Sequence, residues 1–131
     1  MRVLLAAAAA FLSACAPATV EGLRQEHAAH RTFEIDRNYQ TVYRAILDQT
    51  RKCFAGGRVV EGDLYTDRKS GHVALVMFGD REVLMAADIV AQGDGRSKVD
   101  VYAAPRSWAW IAGRVEEWVR DGSTDCDAQL S

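Results

Sequence analysis

A change of hydrophobic period after residue 56 most constrains what this chain can fold into. Upstream of it, Tyr39, Val42, Tyr43, Ile46, Leu47, Thr50 and Phe54 recur at three- and four-residue steps, the spacing of one face of an α-helix. Over 58–104 the period falls to two, with strand-like runs at 58–66, 72–78, 83–91 and 97–103. A stripe at helical spacing cannot lie flat in a sheet, and alternating residues cannot line one side of a helix. The fold must therefore contain a helix and a sheet, each offering an apolar face to the other.

The helix over 39–53 is marked at both ends. Asn38 can supply its side-chain oxygen as the N-cap acceptor, and Gly56-Gly57 can take the left-handed backbone that ends a helix. Between the strands, 67–71, 79–82 and 92–96 supply the glycine and aspartate that hairpin connections need. Connections this short demand antiparallel neighbours, so the four runs form a meander. Runs 73–78 and 83–87 are apolar on both faces and read as central strands. An apolar patch around Val76, Phe78 and Leu84 is expected on the outer face of the sheet.

Two further elements flank this core. Residues 32–36 alternate, with Phe33 and Ile35 inward, and read as a first strand. After Pro105, Ser107 can cap a second helix over 107–120, whose stripe is Trp108, Ile111, Ala112, Val115, Trp118 and Val119. The expected fold class is α+β, in the order β-α-β-β-β-β-α, with one antiparallel sheet packed on one face by two helices. Over residues 32–120 this order resembles the helix-grip domains of the lipoprotein subunit of the outer-membrane β-barrel assembly machinery, and more loosely the steroidogenic-regulatory-protein-like lipid-binding fold.

The N-terminus carries an address. Met1-Arg2 precedes an apolar stretch over 3–12, and Leu12-Ser13-Ala14-Cys15 follows. As a helix that stretch spans only about 15 Å, half of a roughly 30 Å hydrocarbon core, which suits a removed signal rather than a permanent span. The four residues resemble the bacterial lipobox. That resemblance implies diacylglycerol transfer to the Cys15 thiol, cleavage of residues 1–14 and acylation of the new amine; a plain secreted protein with Cys15 incidental is the competing reading. Ala16, in place of an aspartate, implies the outer membrane rather than the inner one. Residues 15–31 then read as the lipidated cysteine and a flexible tether, fully extended to at most roughly 55 Å, with room for a short helix around 23–30. Residues 32–131 form one domain.

Of the three cysteines, lipidation of Cys15 leaves Cys53 and Cys126 as one possible pair. In an oxidising envelope they can form a disulfide if their Cα atoms come within about 7 Å, and a loop that long is worth about 4 kcal/mol. Unpaired structural thiols and a reactive thiol are the alternatives. Asp125 and Asp127 disfavour a thiolate at Cys126, and the helix dipole disfavours one at Cys53.

No arrangement that carries chemistry emerges. His27 and His30 stand three apart with Glu26 before them, unlike the metalloprotease pattern, so no metal is expected. Ser70-Gly71-His72 lacks a nucleophile elbow, Glu116-Glu117 diverge by about 100° on a helix and read as a solvated face, and Gly93-Asp94-Gly95 is a turn rather than a phosphate loop. With 16 Lys and Arg against 18 Asp and Glu, the chain is mildly acidic and no nucleic-acid partner is expected. Trp110 lies off the buried stripe and is the candidate partner contact, a half-buried flank position being its blander reading. The expectation is a non-enzymatic lipoprotein without cofactor, held to the membrane through Cys15, that binds an envelope protein or supports an envelope assembly. The alternative is a carrier holding a small apolar ligand between helix 39–53 and the sheet.

Overall fold

A computed structural model of the chain describes residues 18–127 apart from 55, 57, 78 and 80; Cys15, Gly57 and Phe78, on which expectations fell, lie outside the described residues. In chain order the elements are α1 (Val20–Gln25), β1 (Ala29–Ile35), α2 (Tyr39–Cys53), β2 (Arg58–Tyr65), β3 (Ser70–Met77), β4 (Val83–Ala91), β5 (Ser97–Ala103), a 3₁₀ turn (Arg106–Trp108) and α3 (Ile111–Arg120). The protein is α+β, with one five-stranded antiparallel sheet in the order β1-β5-β4-β3-β2.

The long helix forms where its stripe lies. Asn38 accepts from the Gln40 N–H, and the seven buried residues of α2 include Val42, Tyr43, Ile46 and Leu47. These meet Val73, Leu75, Ile89, Val99 and Val101 on the inner face of the sheet, where α3 adds Ile111, Val115, Trp118 and Val119. Burying side chains of this size is worth about 1.5–3 kcal/mol each. Two glycines let α2 sit close. A Cβ at Gly71 would stand 2.9 Å from Tyr43 Cδ2, and one at Gly62 would stand 2.7 Å from both Leu47 Cδ1 and the Tyr43 hydroxyl.

Four expectations are corrected. The second helix begins at Ile111, without a side-chain cap; the residues around Ser107 form the 3₁₀ turn instead. Leu84 is not on the outer face. The β3–β4 register shifts between Leu75 and Val76, pairing Val76 with Val83 and leaving Leu84 as the extra residue, turned into the inner core. Glu116 is not a solvated bystander but accepts from Arg31 (2.6 Å) and Arg120 (3.0 Å), tying β1 to α3.

The fourth correction concerns residues expected as tether. From Thr19 onward they fold. Thr19 accepts from the Gly22 N–H to cap α1, and Leu23, wholly buried, packs on Ala74, Val76, Val83, Ala86 and Ala104. β1 starts at Ala29, three residues before its expected start, because Ala29, His30 and Arg31 pair with Ala103, Tyr102 and Val101. Val76, with Ala74, Val83 and Ala86 on the outer face, is thus covered by α1, and the sheet carries helices on both faces.

Candidate functional site

The antiparallel register sets polar residues in a row across the outer face. Asp63 pairs with His72, His72 with Asp88, Asp88 with Asp100, and Asp100 with Thr32, one residue from each strand. In each strand these positions alternate with core residues, so they share the face opposite α2 and α3. Arg24, one residue beyond the buried Leu23 of α1, reaches down onto this row. Its Nε and Nη2 donate to the two Asp88 oxygens, each at 2.8 Å, while Nη1 meets Glu21 at 3.1 Å. His72 Nδ1 lies 2.9 Å from Asp88 Oδ1.

Beside this clamp, Asp100 accepts from the Thr32 hydroxyl at 2.6 Å and lies 3.0 Å from His30 Nε2. The His30 ring stacks on Tyr102 with centroids 4.3 Å apart, and His27 meets both rings edge-on at 5.3 and 5.2 Å. All three histidines of the chain therefore gather on one face. His27 also bonds the Arg24 carbonyl at the end of α1. Among the described residues no group of three His, Cys, Asp or Glu side chains is placed to hold a metal ion.

His72, Asp88 and Asp100 of this row floor an open depression of about 630 Å³ bounded by Val20 and Arg24 on one side and Tyr65, Arg68 and Ser70 on the other. Arg68 lies over the Tyr65 ring at 4.3 Å. Val90, 48% exposed, and Tyr65, 36% exposed, give it an apolar lip. Ser70 and His72, adjacent in sequence pattern, do share this face. The carboxylate behind His72 is committed, however, because both Asp88 oxygens are bound by Arg24.

Burial alone would raise the Asp88 carboxyl, but hydrogen bonds from His72 and Arg24 outweigh it and hold the group at about 2. A depressed carboxylate contributes stability above its unfolded value of about 3.9 and loses it as pH falls through the folded one. With the side chain 25% exposed, screening leaves on the order of 1 kcal/mol. Urea unfolding of the wild type and Asp88→Asn should therefore show a gap that is full near neutrality and closes between about pH 5 and about pH 2. A gap independent of pH would contradict the clamp.

Of the residues singled out in the sequence, Cys53 and Cys126 come together at disulfide distance, with Cα atoms 5.1 Å apart. The cysteine pair is not the only hold on the C-terminal segment. The Thr124 carbonyl accepts from Gln49 (3.0 Å), the Asp125 carbonyl from Trp118 Nε1 (2.7 Å), and the Asp127 carbonyl from Arg114. Trp110 is half-buried, its ring 6.5 Å from that of Trp108 and 6.3 Å from that of Phe54. The row of Asp63, His72, Asp88, Asp100 and Thr32 was not anticipated; in the sequence these are ordinary polar residues of five separate strands, without the register that aligns them. Compared with known proteins, the chain matches no family model and no curated sequence. Among the described residues no helix is long and apolar enough to cross a membrane.

Proposed function

We propose that this chain is a non-enzymatic lipoprotein of the bacterial envelope, held through acylated Cys15 at the outer membrane facing the periplasm, whose domain binds another envelope protein as an accessory to assembly. The observation that carries the binding role is the contrast between the two faces of the sheet. Inside, Tyr43 and Leu47 fill the space above Gly62 and Gly71 so closely that a single added carbon would collide. A carrier of small apolar ligands needs room there, and the outer depression is the open surface instead. Its mixed charges and its lip of Val90 and Tyr65 suit a protein partner, which supplies both apolar and hydrogen-bonding groups. The cysteine pair suits an oxidising compartment, and the lipobox supplies the anchor. The element order from β1 to α3 supports the likeness to helix-grip domains of envelope assembly.

A photocrosslinking residue in place of Val90, in cells carrying the full anchored chain, should capture the same envelope protein in repeated preparations. The same probe at Asp48, on the exposed side of α2, should not. Folded, anchored protein that yields no reproducible adduct from Val90 would sink the proposal.

A further inference from the structure

The chain enters the fold at one end of the sheet, and that end has a distinct surface. Ala18 and Val20 lie beside Val76, Arg81 and Val83, where β3 finishes and β4 begins. β2 starts at the same end, since Arg58 pairs with Met77. Trp108, just after β5, packs there against the cluster around Leu23. The Arg58 guanidinium carbon stands 5.2 Å from the centroid of Trp108 and 5.8 Å from that of Phe54, and Trp110 stacks beyond Trp108. Arg58 Nε is buried without a hydrogen-bond partner among the described residues. Val59, 39% exposed, Glu61 and Arg81 complete the rim.

Only Ala16 and Pro17 separate Cys15 from Ala18, and three Cα steps reach at most about 11 Å. Resting on the reading of Cys15 as lipidated, we infer that this rim is the face of the domain turned to the bilayer, with Trp108 and Trp110 at headgroup level and Arg58 and Arg81 against lipid phosphates. A link of at most about 11 Å spans little more than one headgroup layer of roughly 5–8 Å, so the entry end stays against the membrane surface. The composition fits that position. Indole rings favour the interface because one edge is apolar and the other donates a hydrogen bond. Arginine binds phosphate oxygens while its stem lies along apolar surface. The depression runs from Val20 and Arg24 to Tyr65, Ser70 and Val90 at the other end of the strands, and that far lip then points into the periplasm, open to a partner.

The test uses the mature, acylated chain in vesicles of phosphatidylethanolamine and phosphatidylglycerol, with and without acyl chains brominated near the headgroup. Bromine quenches tryptophan by contact. Trp118, 4% exposed in the inner core, serves as the unquenched reference. Wild-type emission should fall by up to about two thirds on brominated lipid, since two of the chain's three tryptophans lie on the rim. The Trp108→Phe, Trp110→Phe double variant should lose the quenching while still floating with vesicles, and Arg81→Glu should diminish it. Unchanged circular dichroism identifies folded variants. Acylated wild-type protein that floats with vesicles and is not quenched overturns the orientation and leaves the anchor standing. An intact mass without acyl chains removes the anchor and the orientation together.

Discussion

Replacing Cys126 by serine should lower the melting temperature of the oxidised protein by roughly 20 °C, with reductant doing the same to the wild type and nothing further to the variant. The two cysteines are separated by 73 residues, so a bond between them closes most of the domain into one loop. In the chain-entropy model a loop of that size restricts the unfolded ensemble by about 4 kcal/mol. The cost does not end at the unfolded state. Without the bond, the segment from Gly122 is held by Gln49, Arg114 and Trp118 and by the Ser123 N–H donating to the Glu117 carbonyl, and Gln49 and Arg114 are 8% and 5% exposed. If the segment leaves, Gln49 loses its carbonyl acceptor and Arg114 keeps only Glu117 at the core edge. Thermal unfolding followed by circular dichroism, with thiol counting under denaturant, checks both parts. Free thiols at both positions in protein from an oxidising compartment would refute the pairing, and an unchanged melting temperature would refute its weight.

Leu23→Ala is the second large effect. The lost methyl groups and the cavity among Ala74, Val76, Val83 and Ala86 should cost about 3 kcal/mol. A six-residue helix has little stability of its own, so its packing is what keeps α1 folded. Amide exchange over 20–26 should accelerate roughly a hundredfold, since each 1.4 kcal/mol is a factor of ten. The inner core, on the far side of the sheet, should keep its protection. Unchanged exchange in α1 would mean that it does not depend on Leu23, and uniform acceleration everywhere would mean that the two cores unfold as one unit.

These two expectations also separate the parts of the fold that could be read in advance from those that could not. α2 was legible to the residue at both ends, because fifteen residues of stripe and an Asn38 cap are local signals. β4 and β5 were legible from equally local signals, an apolar run and an alternating one on either side of the turn containing Gly93 and Gly95. α1 was only hinted at. Its six residues contain one buried side chain, too few for a period, and its partners lie about fifty to eighty residues away. The start of α3 was misplaced because Trp108 is apolar at helical spacing yet packs at the sheet's edge between both cores.

The candidate site divides in the same way. Trp110 and the two cysteines stand out by residue type, and Cys53 is placed in the last turn of a helix by the pattern around it. The clamp of Arg24 on Asp88 and His72 does not stand out, because each of the three is an ordinary polar residue in its own segment. Only β-pairing puts His72 beside Asp88, and only the docking of Leu23 brings Arg24 over them.

What the sequence determined by itself was the kinds of element, most of their bounds, the antiparallel meander and the inner faces, since each follows from periodicity within a dozen residues or from the shortness of a turn. What tertiary structure decided was the strand order that sets β1 beside β5, the inward turn of Leu84 at the register shift, the covering of the outer patch by α1, and the alignment of five polar residues into one row. Those depend on which surfaces meet after the chain has closed on itself. A residue's own neighbours in sequence carry no record of that, because the apolar burial that drives closure is non-directional and the register that completes it belongs to pairs of strands.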